Sequence, residues 1–456
     1  MFLSTRSEVG VYKFILNACI KNYERLLKKK IEILIFEKKK FPSLKYFFFF
    51  TYIILSGKIF RKDRYQITYS NIEIGRFVLS SSFQNFETYT NKFKFYKLFI
   101  KNLFLAGCIL KTCNYYYLRK NILGAYIDHC GYMNGIIFSF LAQKRISVYT
   151  NNYPHGIYFV NYKKNKKKKL LKYENTLKIN IKKNINFYQK KIANKQIEKL
   201  VKKKNFIPWL VNAKFKKLEK VNFYNFDYII YTHSFTDGQM WYGYDGFENT
   251  LDWLVFTLET FVSSNKKILI KPHPNFYNSS LGQHAHMDNK IYNLILKKYK
   301  VYKNFYFLKN PIHNYKLLKK LNKNCVAISK FGSVILETAY LNFKSISSLN
   351  NFYDKKFEIS NMWRNKEDYL KLLKKDYFEL NKPNKDDLYK LIHSLFNVYY
   401  SCYNLNNFYA NVLKRSLKTT ENTFENLVLD KIEYANFNNY KSIIKRLSNK
   451  IWEVKY

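Results

Sequence analysis

Short apolar runs alternate with helical patterns through the second half of the chain. Between Lys266 and Ser348, the run Ile268–Ile270 precedes a helical pattern, and a later run ending at Ser329 precedes a turn and another helix. Apolar runs of this length, bounded by Gly, Pro and Asn, are typical of buried strands. A strand over residues 227–232 and an amphipathic helix over 251–264 extend the pattern. The alternation predicts an α/β fold with a parallel sheet.

The first half of the chain has a looser pattern of the same kind. The run Tyr46–Leu55 falls short of the roughly 20 apolar residues that span a bilayer, and it predicts a buried strand, with an interfacial anchor as the alternative. Gly135–Leu141 predicts an apolar helix. The other elements predicted here are helices over 11–27 and 93–118 and strands over 31–36 and 146–149.

These patterns divide the 456 residues into three parts. Residues 1–215 form one α/β domain, with a Lys-rich helical connection over 163–220. Residues 216–400 form a second α/β domain, and residues 401–456 form a helical tail. The length suits two domains of ordinary size with an appendage.

Composition narrows the function only slightly. Apolar residues make up 47% of the chain, which predicts a large core and excludes wholesale disorder. The formal net charge of +48 is typical of proteins that bind nucleic acid or anionic membranes. Lys, Asn, Ile, Tyr and Phe are enriched together along the whole chain, however, and no aromatic stacking motif accompanies the lysines. We expect attraction to anionic lipid or a phosphorylated substrate, and no specific nucleic-acid partner.

Cysteine usage and the N-terminal residues predict the compartment. The six cysteines form no CxxC pair, which favours reduced thiols in a cytoplasm over a disulfide framework or a zinc site. The first residues contain no hydrophobic region of the signal-peptide type. We therefore expect a cytoplasmic protein with peripheral contact to the inner face of the membrane.

The first chemical signal is the sequence Lys271-Pro272-His273-Pro274, which directly follows a predicted strand. The prolines restrict the backbone and remove competing amides. Lys271 and His273 then offer donors at a strand end, where open parallel sheets bind their ligands. This arrangement suits a diphosphate or a phosphodiester leaving group.

The second signal follows the next strand but one. There, Ser329 ends a strand and a helix begins at Gly332-Ser333. Free amides and the Ser333 hydroxyl can bind an anion, although a simple helix cap is the alternative. Glu337 lies one turn further on the same helical face, where its carboxylate could accept two ribose hydroxyls.

A general base must lie within hydrogen-bond reach of an acceptor hydroxyl. Asp237 and His233, in the loop after the strand over 227–232, are candidates, and so is Asp128 beside Tyr132 in the first domain. The His284-Ala285-His286 segment with Asp288 is weak evidence for a metal site, and we predict none.

The KPHP sequence, the Gly-Ser turn and the following Glu resemble bacterial capsule and surface-polysaccharide glycosyltransferases of the GT-B fold. The 60 residues that separate His273 from Ser333 are similar to the spacing of the His-Pro and Ser motifs in sialyl-, polysialyl- and Kdo-transferases, which use CMP-sugars. The resemblance covers residues 227–348 well and the N-terminal half only through 128–156. It departs from the family in having Gly332-Ser333 instead of paired serines, and in lacking a clear acidic-acidic-Gly motif.

The resemblance implies two facing Rossmann-type domains, with the acceptor on the N-terminal domain and a nucleotide-sugar on the C-terminal one. Lys271, His273, Pro274, Ser329, Gly332, Ser333 and Glu337 would bind the donor, with His273 and Ser333 on its phosphate and Glu337 on its ribose.

We predict a glycosyltransferase that needs no cofactor or metal and moves a sugar from a CMP-sugar to a surface-polysaccharide or lipid-linked glycan. A CDP-glycerol or ribitol phosphate transferase is the near alternative. A non-catalytic polyanion-binding protein is the distant one.

Overall fold

The computed structural model describes residues 2–4, 33–35, 41–119, 122, 124–128, 131–144, 146–151, 157–160, 184–202, 215–240, 243–277, 283–351 and 357–394. It contains two large sheets of mainly parallel strands, each accompanied by helices. The predicted helix over 11–27 and the predicted tail over 401–456 lie outside the described residues.

The N-terminal sheet has five strands, of which four are parallel. In space they run β2-β1-β5-β6-β7, and only the β6–β7 pair is antiparallel. This is one of the two common orders of doubly wound sheets. The strands of the N-terminal half are β1 (Phe2–Ser4), β2 (Ile33–Ile35), the hairpin β3 (Thr68–Tyr69) and β4 (Ile72–Glu73), β5 (Gly124–Asp128), β6 (Ser147–Asn151) and β7 (Ile157–Val160).

Among the described residues before β6, five α-helices accompany this sheet, and the long α4 is central to their packing. Phe99 and Leu103 of α4 are fully buried and lie in one apolar cluster with Val78, Leu79 and Ile136. The helices predicted over 93–118 and Gly135–Leu141 are confirmed within two residues. The helices are α1 (Leu44–Leu55), α2 (Gly75–Ser82), α3 (Glu87–Thr90), α4 (Lys92–Arg119) and α5 (Asn134–Gln143).

The prediction of a buried strand over Tyr46–Leu55 is wrong, because this run is the helix α1. Ser43 caps it, its side chain accepting a hydrogen bond from the Tyr46 amide at 3.3 Å. Only Tyr46 and Ile53 of the helix are buried. The run is ten residues long, and an apolar run of that length without alternation does not distinguish strand from helix.

The C-terminal sheet has six strands, all parallel, in the order β10-β9-β8-β11-β12-β13. This is the order 3-2-1-4-5-6 of dinucleotide-binding doubly wound sheets, with its switch point between β8 and β11. Every residue of β8, β9, β11 and β12 is buried, as expected for a parallel sheet covered on both faces. The strands are β8 (Tyr228–Tyr231), β9 (Ile268–Lys271), β10 (Phe305–Phe307), β11 (Val326–Ser329), β12 (Ser345–Ser348) and β13 (Asn361–Trp363).

The remaining helices include one from the Lys-rich connection. That helix, α6, buries Ala193, Ile197 and Val201, which share an apolar cluster with Leu388 and Leu391 of α12. The rest of the connection is described only at 184–186 and 215–220. The helices are α6 (Phe187–Lys202), α7 (Thr250–Phe261), α8 (Gln283–Tyr299), α9 (Asn314–Leu318), α10 (Val334–Tyr340), α11 (Lys366–Lys374) and α12 (Lys385–Ser394).

The two halves meet through specific side-chain contacts. The Arg64 guanidinium donates to both carboxylate oxygens of Glu248, at 2.8 and 2.6 Å. The rings of Tyr65 and Tyr244 stack with centroids 4.0 Å apart. The predicted α/β fold with two Rossmann-type units and mainly parallel sheets is confirmed, while the exact domain boundaries stay predictions. None of the helices in the described ranges, the 28-residue α4 included, is long and apolar enough to cross a membrane.

Candidate functional site

The candidate site lies at the carboxyl ends of three adjacent strands of the C-terminal sheet. Tyr231 of β8 is in register with Lys271 of β9 on one side and with Ser329 of β11 on the other. The segments that follow these residues therefore leave the sheet side by side. Because β8 and β11 flank the switch point, the edge between them opens a crevice of the kind that binds ligands in open α/β sheets.

Two histidines and a glycine converge in this crevice. The rings of His233 and His273 have centroids 5.4 Å apart, and the Phe331 ring lies 4.2 Å from that of His233. Gly332 has φ +122°, a region that side chains rarely adopt, and a Cβ there would lie 3.9 Å from Cδ2 of His233. The KPHP sequence and the Gly-Ser turn thus meet across the His233 ring.

Backbone hydrogen bonds fix the KPHP segment against β8. The Thr232 amide donates to the Lys271 carbonyl at 3.0 Å, and Oγ1 of Thr232 accepts from the His273 amide at 3.0 Å. Pro274 begins a 3-10 turn (Pro274–Tyr277), in which the Phe276 amide donates to the His273 carbonyl at 3.1 Å. His273 is therefore held on both sides, as the flanking prolines predict.

Lys271 is a buried cation without a partner. Its ammonium makes no hydrogen bond or ion pair with the described residues, and Nζ lies 5.8 Å from the centroid of the Tyr231 ring. Burial lowers its pKa to about 8, and the Glu337 carboxylate opposes this shift. Lys330, next in sequence to Ser329, is also buried but forms an ion pair with Asp245 at 3.2 Å.

Both imidazoles are neutral at physiological pH. Burial, followed by the neighbouring His233 and Lys271, holds the pKa of His273 well below its usual value. Burial also lowers the pKa of His233. Nδ1 of His233 lies 3.3 Å from the Ser234 carbonyl, and because a carbonyl only accepts, this contact requires the Nδ1–H tautomer. Nε2 of His233 is then an acceptor that can take a proton.

The segment after β11 carries the other predicted donor ligands. The Ser329 hydroxyl donates to the Phe331 carbonyl at 3.0 Å and thereby supports the turn. Ser333 occupies the N-cap position of α10, but its side chain does not cap the helix. Since α10 has only seven residues, we assign no anion site to the helix end itself and consider the Ser333 hydroxyl instead.

Glu337 lies within α10, one turn after Ser333. Its Oε2 accepts from Nδ2 of Asn314 at 2.8 Å. Burial raises its pKa to about 7, against the opposing effects of Asn314 and Lys271. At neutral pH Glu337 can therefore accept or donate a hydrogen bond, both of which suit a ribose hydroxyl.

Asp288 of α8 holds the loop that carries His233 and Asp237. Its Oδ1 accepts from the amides of Phe235 and Thr236, at 3.0 and 2.9 Å, and from the Thr236 hydroxyl at 2.9 Å. Its Oδ2 accepts from the Ser234 hydroxyl. Asp288 is buried, and burial raises its pKa to about 6. Both carboxylate oxygens of Asp288 therefore accept hydrogen bonds from this loop.

No metal site is formed by the residues that the structure describes. Within those ranges, no group of three or more His, Cys, Asp or Glu side chains is placed to hold an ion. The side chain of His284 is not among the described parts, and His286 is exposed.

Of the three predicted bases, Asp237 and Asp128 lie toward the N-terminal unit. Asp237 is exposed, and its Oδ1 accepts from the Tyr132 hydroxyl at 2.5 Å. Tyr132, which has φ +53°, also accepts from the Gly238 amide at 2.8 Å. Asp128 ends β5, four residues before Tyr132, but its side chain is not described. The loop after β5 and the loop after β8 therefore meet, so the ends of both sheets border one cleft.

Several supporting residues did not follow from the sequence. No sequence motif indicates a role for Thr232 or Asn314. The sequence suggests Asp288 only as a weak candidate for a metal ligand. Lys330 directly follows the apolar strand that ends at Ser329. A charged residue at such a strand end is a sequence signal for a site residue.

Comparisons with known proteins give little further information. No protein-family model and no curated protein matches the chain. Two solved structures of UDP-GlcNAc 2-epimerase from Methanocaldococcus jannaschii, one in complex with UDP-GlcNAc and UDP, each align with 64% of this chain and 81% of theirs. They are 11% and 12% identical to it, with TM-scores of 0.27 and 0.26. A similarity this low assigns neither a fold nor a function to the chain.

Proposed function

We propose that this protein is a glycosyltransferase that binds a nucleotide-sugar in the crevice after β8, β9 and β11. The observation that carries the proposal is the buried, unpaired Lys271 beside two neutral histidines at the switch point of the sheet. A buried cation without a partner is costly, and a bound anion would compensate for it. Phosphate groups of a nucleotide are anions of the right kind for such a crevice.

Each side chain has a role in this proposal. Lys271 supplies positive charge for the phosphate leaving group, while His273 and the Ser333 hydroxyl donate hydrogen bonds to its oxygens. Preorganised donors of this kind stabilise the charge that develops as the sugar departs. Glu337 binds the ribose. The assignment of the nucleotide as CMP rests on the sequence resemblance alone.

The acceptor would enter from the side of the N-terminal unit. We propose a surface-polysaccharide or lipid-linked glycan, whose hydroxyl loses its proton to a base near the Tyr132–Asp237 contact. Asp237 is the first candidate and Asp128 the second. Nε2 of His233 is a third candidate, because its tautomer leaves that nitrogen unprotonated. An acceptor of this kind would be met at the inner membrane face.

A thermal-shift screen with CMP, CDP, UDP and GDP tests the proposal. A ligand that binds only the folded state raises its apparent stability by mass action. We expect CMP to give the largest shift, and we expect His273→Ala to abolish it while the protein stays folded. A shift with none of the four nucleotides would contradict the proposal. Assays with CMP-sugars against CDP-glycerol and CDP-ribitol then separate sugar transfer from polyol-phosphate transfer.

A further inference from the structure

The helix α1 has an apolar surface that the rest of the described protein does not cover. Leu44, Phe47, Phe48, Tyr52 and Leu55 are between 45% and 81% exposed. Its other face is apolar too, since Tyr46 and Ile53 are buried and Phe49, Phe50 and Ile54 pack against the core. A helix that is apolar all round is normally buried in protein or in lipid. We call the five exposed side chains, together with Phe41 and Phe60, the α1 surface.

The exposed side chains form a continuous stripe. Positions 44, 48, 52 and 55 of α1 recur every three or four residues, which places them along one side of the helix. Contiguous exposed apolar patches on a soluble surface mark interaction sites, whereas single exposed residues need no explanation. The stripe therefore needs a partner.

The charges close to this stripe in sequence are mostly positive. Residues 41–62 contain Lys45, Lys58, Arg61 and Lys62 and no acidic residue. Arg61 is paired with Asp63 at 3.1 Å, which leaves three lysines. Nζ of Lys58 lies 4.8 Å from the centroid of the Tyr52 ring, so one cation borders the stripe directly. Lysines at the border of an apolar helix face complement anionic lipid headgroups.

We propose that α1 is a monotopic membrane anchor that lies in the interface of an anionic bilayer. Its 12 residues span only about 18 Å, at about 1.5 Å per residue, so the helix lies along the surface and does not cross it. The aromatic side chains would enter the boundary between headgroups and acyl chains, with the lysines at headgroup level. This deepens the proposed function by naming the surface that would meet a lipid-linked acceptor.

Vesicle co-sedimentation of the full chain tests the proposal. The vesicles contain phosphatidylcholine alone or a mixture with phosphatidylglycerol. The test variant is Phe48→Ser with Leu55→Ser, two exposed changes that we expect to leave folding unaffected. The matched control is Phe378→Ser, because Phe378 is 85% exposed but belongs to the C-terminal unit. Circular dichroism and urea denaturation confirm that each variant is folded.

We expect the wild type and Phe378→Ser to bind the anionic vesicles. The double variant should bind at least about tenfold more weakly, because each large apolar side chain contributes roughly that factor when it is buried. Binding should weaken at about 1 M salt, where the screening length falls to about 3 Å.

Three results would overturn the proposal. They are a wild type that stays in the supernatant, a double variant that binds as well as the wild type, and a wild-type dimer in analytical ultracentrifugation that only the double variant dissociates. Vesicle binding and sugar transfer to a soluble acceptor are measured separately. A protein that does not bind vesicles can still transfer sugar, and a protein that transfers no sugar can still bind vesicles, so each proposal is tested on its own.

Discussion

Two buried lysines at one sheet edge, Lys271 and Lys330, differ in whether their charge is paired. Lys271 and Lys330 both follow or end central strands, and both are buried. Lys330 has Asp245 as its partner, whereas the Lys271 ammonium has no hydrogen bond or ion pair among the described residues. A charge that destabilises the empty protein is typical of binding sites, where stability and activity are in conflict.

The substitution Lys271→Met should stabilise the protein. The folded state holds the pKa of Lys271 at about 8, below the value of 10.5 for a free lysine, so protonation at neutral pH opposes folding. At about 1.4 kcal/mol per pKa unit, the gain in unfolding free energy is on the order of 3 kcal/mol near neutral pH. Because the pKa is lower in the folded state than in the unfolded state, the gain in stability is full below pH 8. It disappears as the pH rises toward 10.5, where the unfolded lysine also loses its charge. Urea denaturation across this pH range measures it.

Lys330→Met is the matched control for this prediction. Removing one partner of a buried pair leaves Asp245 uncompensated and typically costs about 3–5 kcal/mol. The two variants should therefore change stability in opposite directions. Equal destabilisation by both would mean that Lys271 is a structural residue.

At the scale of elements, the loop after β8 is irregular and is held by one side chain of α8. Its residues 234–236 direct two amides and two hydroxyls at the single carboxylate of Asp288 on α8. Catalytic side chains on loops need such support, because small displacements reduce the rate. Asp288 acts on the site only through this loop, so it is a positioning residue.

Asp288→Ala should cost both stability and activity. It leaves buried amides without an acceptor, at about 1–3 kcal/mol for each unsatisfied group. Asp288→Asn keeps one acceptor oxygen for those amides and should fall between the wild type and Asp288→Ala. Urea denaturation and transfer kinetics are both needed, with nucleotide affinity as a further readout of loop position. An alanine variant with unchanged kinetics would show that the loop is held by other contacts.

Elements that are consecutive in the sequence could be predicted, whereas a contact between distant segments could not. The KPHP segment and the Gly-Ser turn could be predicted because strand, exit and helix are consecutive in sequence, and a parallel sheet then brings strand ends together. The loop's attachment to Asp288 could not, since 52 to 54 residues separate the partners and no local pattern joins them. The strand prediction for helix α1 is wrong because a continuous apolar run is normally buried, whereas the fold leaves much of this run exposed.

At the scale of the molecule, the two sheets are joined at the cleft that the proposal needs. Tyr132, after β5, donates to Asp237 and accepts from Gly238, both after β8. The Arg64–Glu248 pair joins the units at a second point. Acceptor and donor would therefore be brought together by contacts on either side of one crevice.

The substitution Tyr132→Phe should affect transfer but not donor binding. It removes the hydroxyl that holds Asp237 and leaves the Gly238 amide without its acceptor. We expect a reduced kcat for transfer with an unchanged Kd for the nucleotide, because the change lies on the acceptor side of the cleft. Steady-state kinetics and a nucleotide titration distinguish the two. Loss of nucleotide affinity in this variant would place Tyr132 in the donor site instead.

The central claim is that Lys271 binds the phosphate of a nucleotide, and calorimetric titration of CMP between about pH 7 and pH 9.5 tests it most directly. With a pKa of about 8 for Lys271, the wild-type affinity should fall as the pH rises past that value, by up to about tenfold per pH unit. Lys271→Met should bind at least about tenfold more weakly near neutral pH, without this pH dependence. Wild-type affinity in Lys271→Met, or a wild-type profile that is flat across this range, would contradict the account.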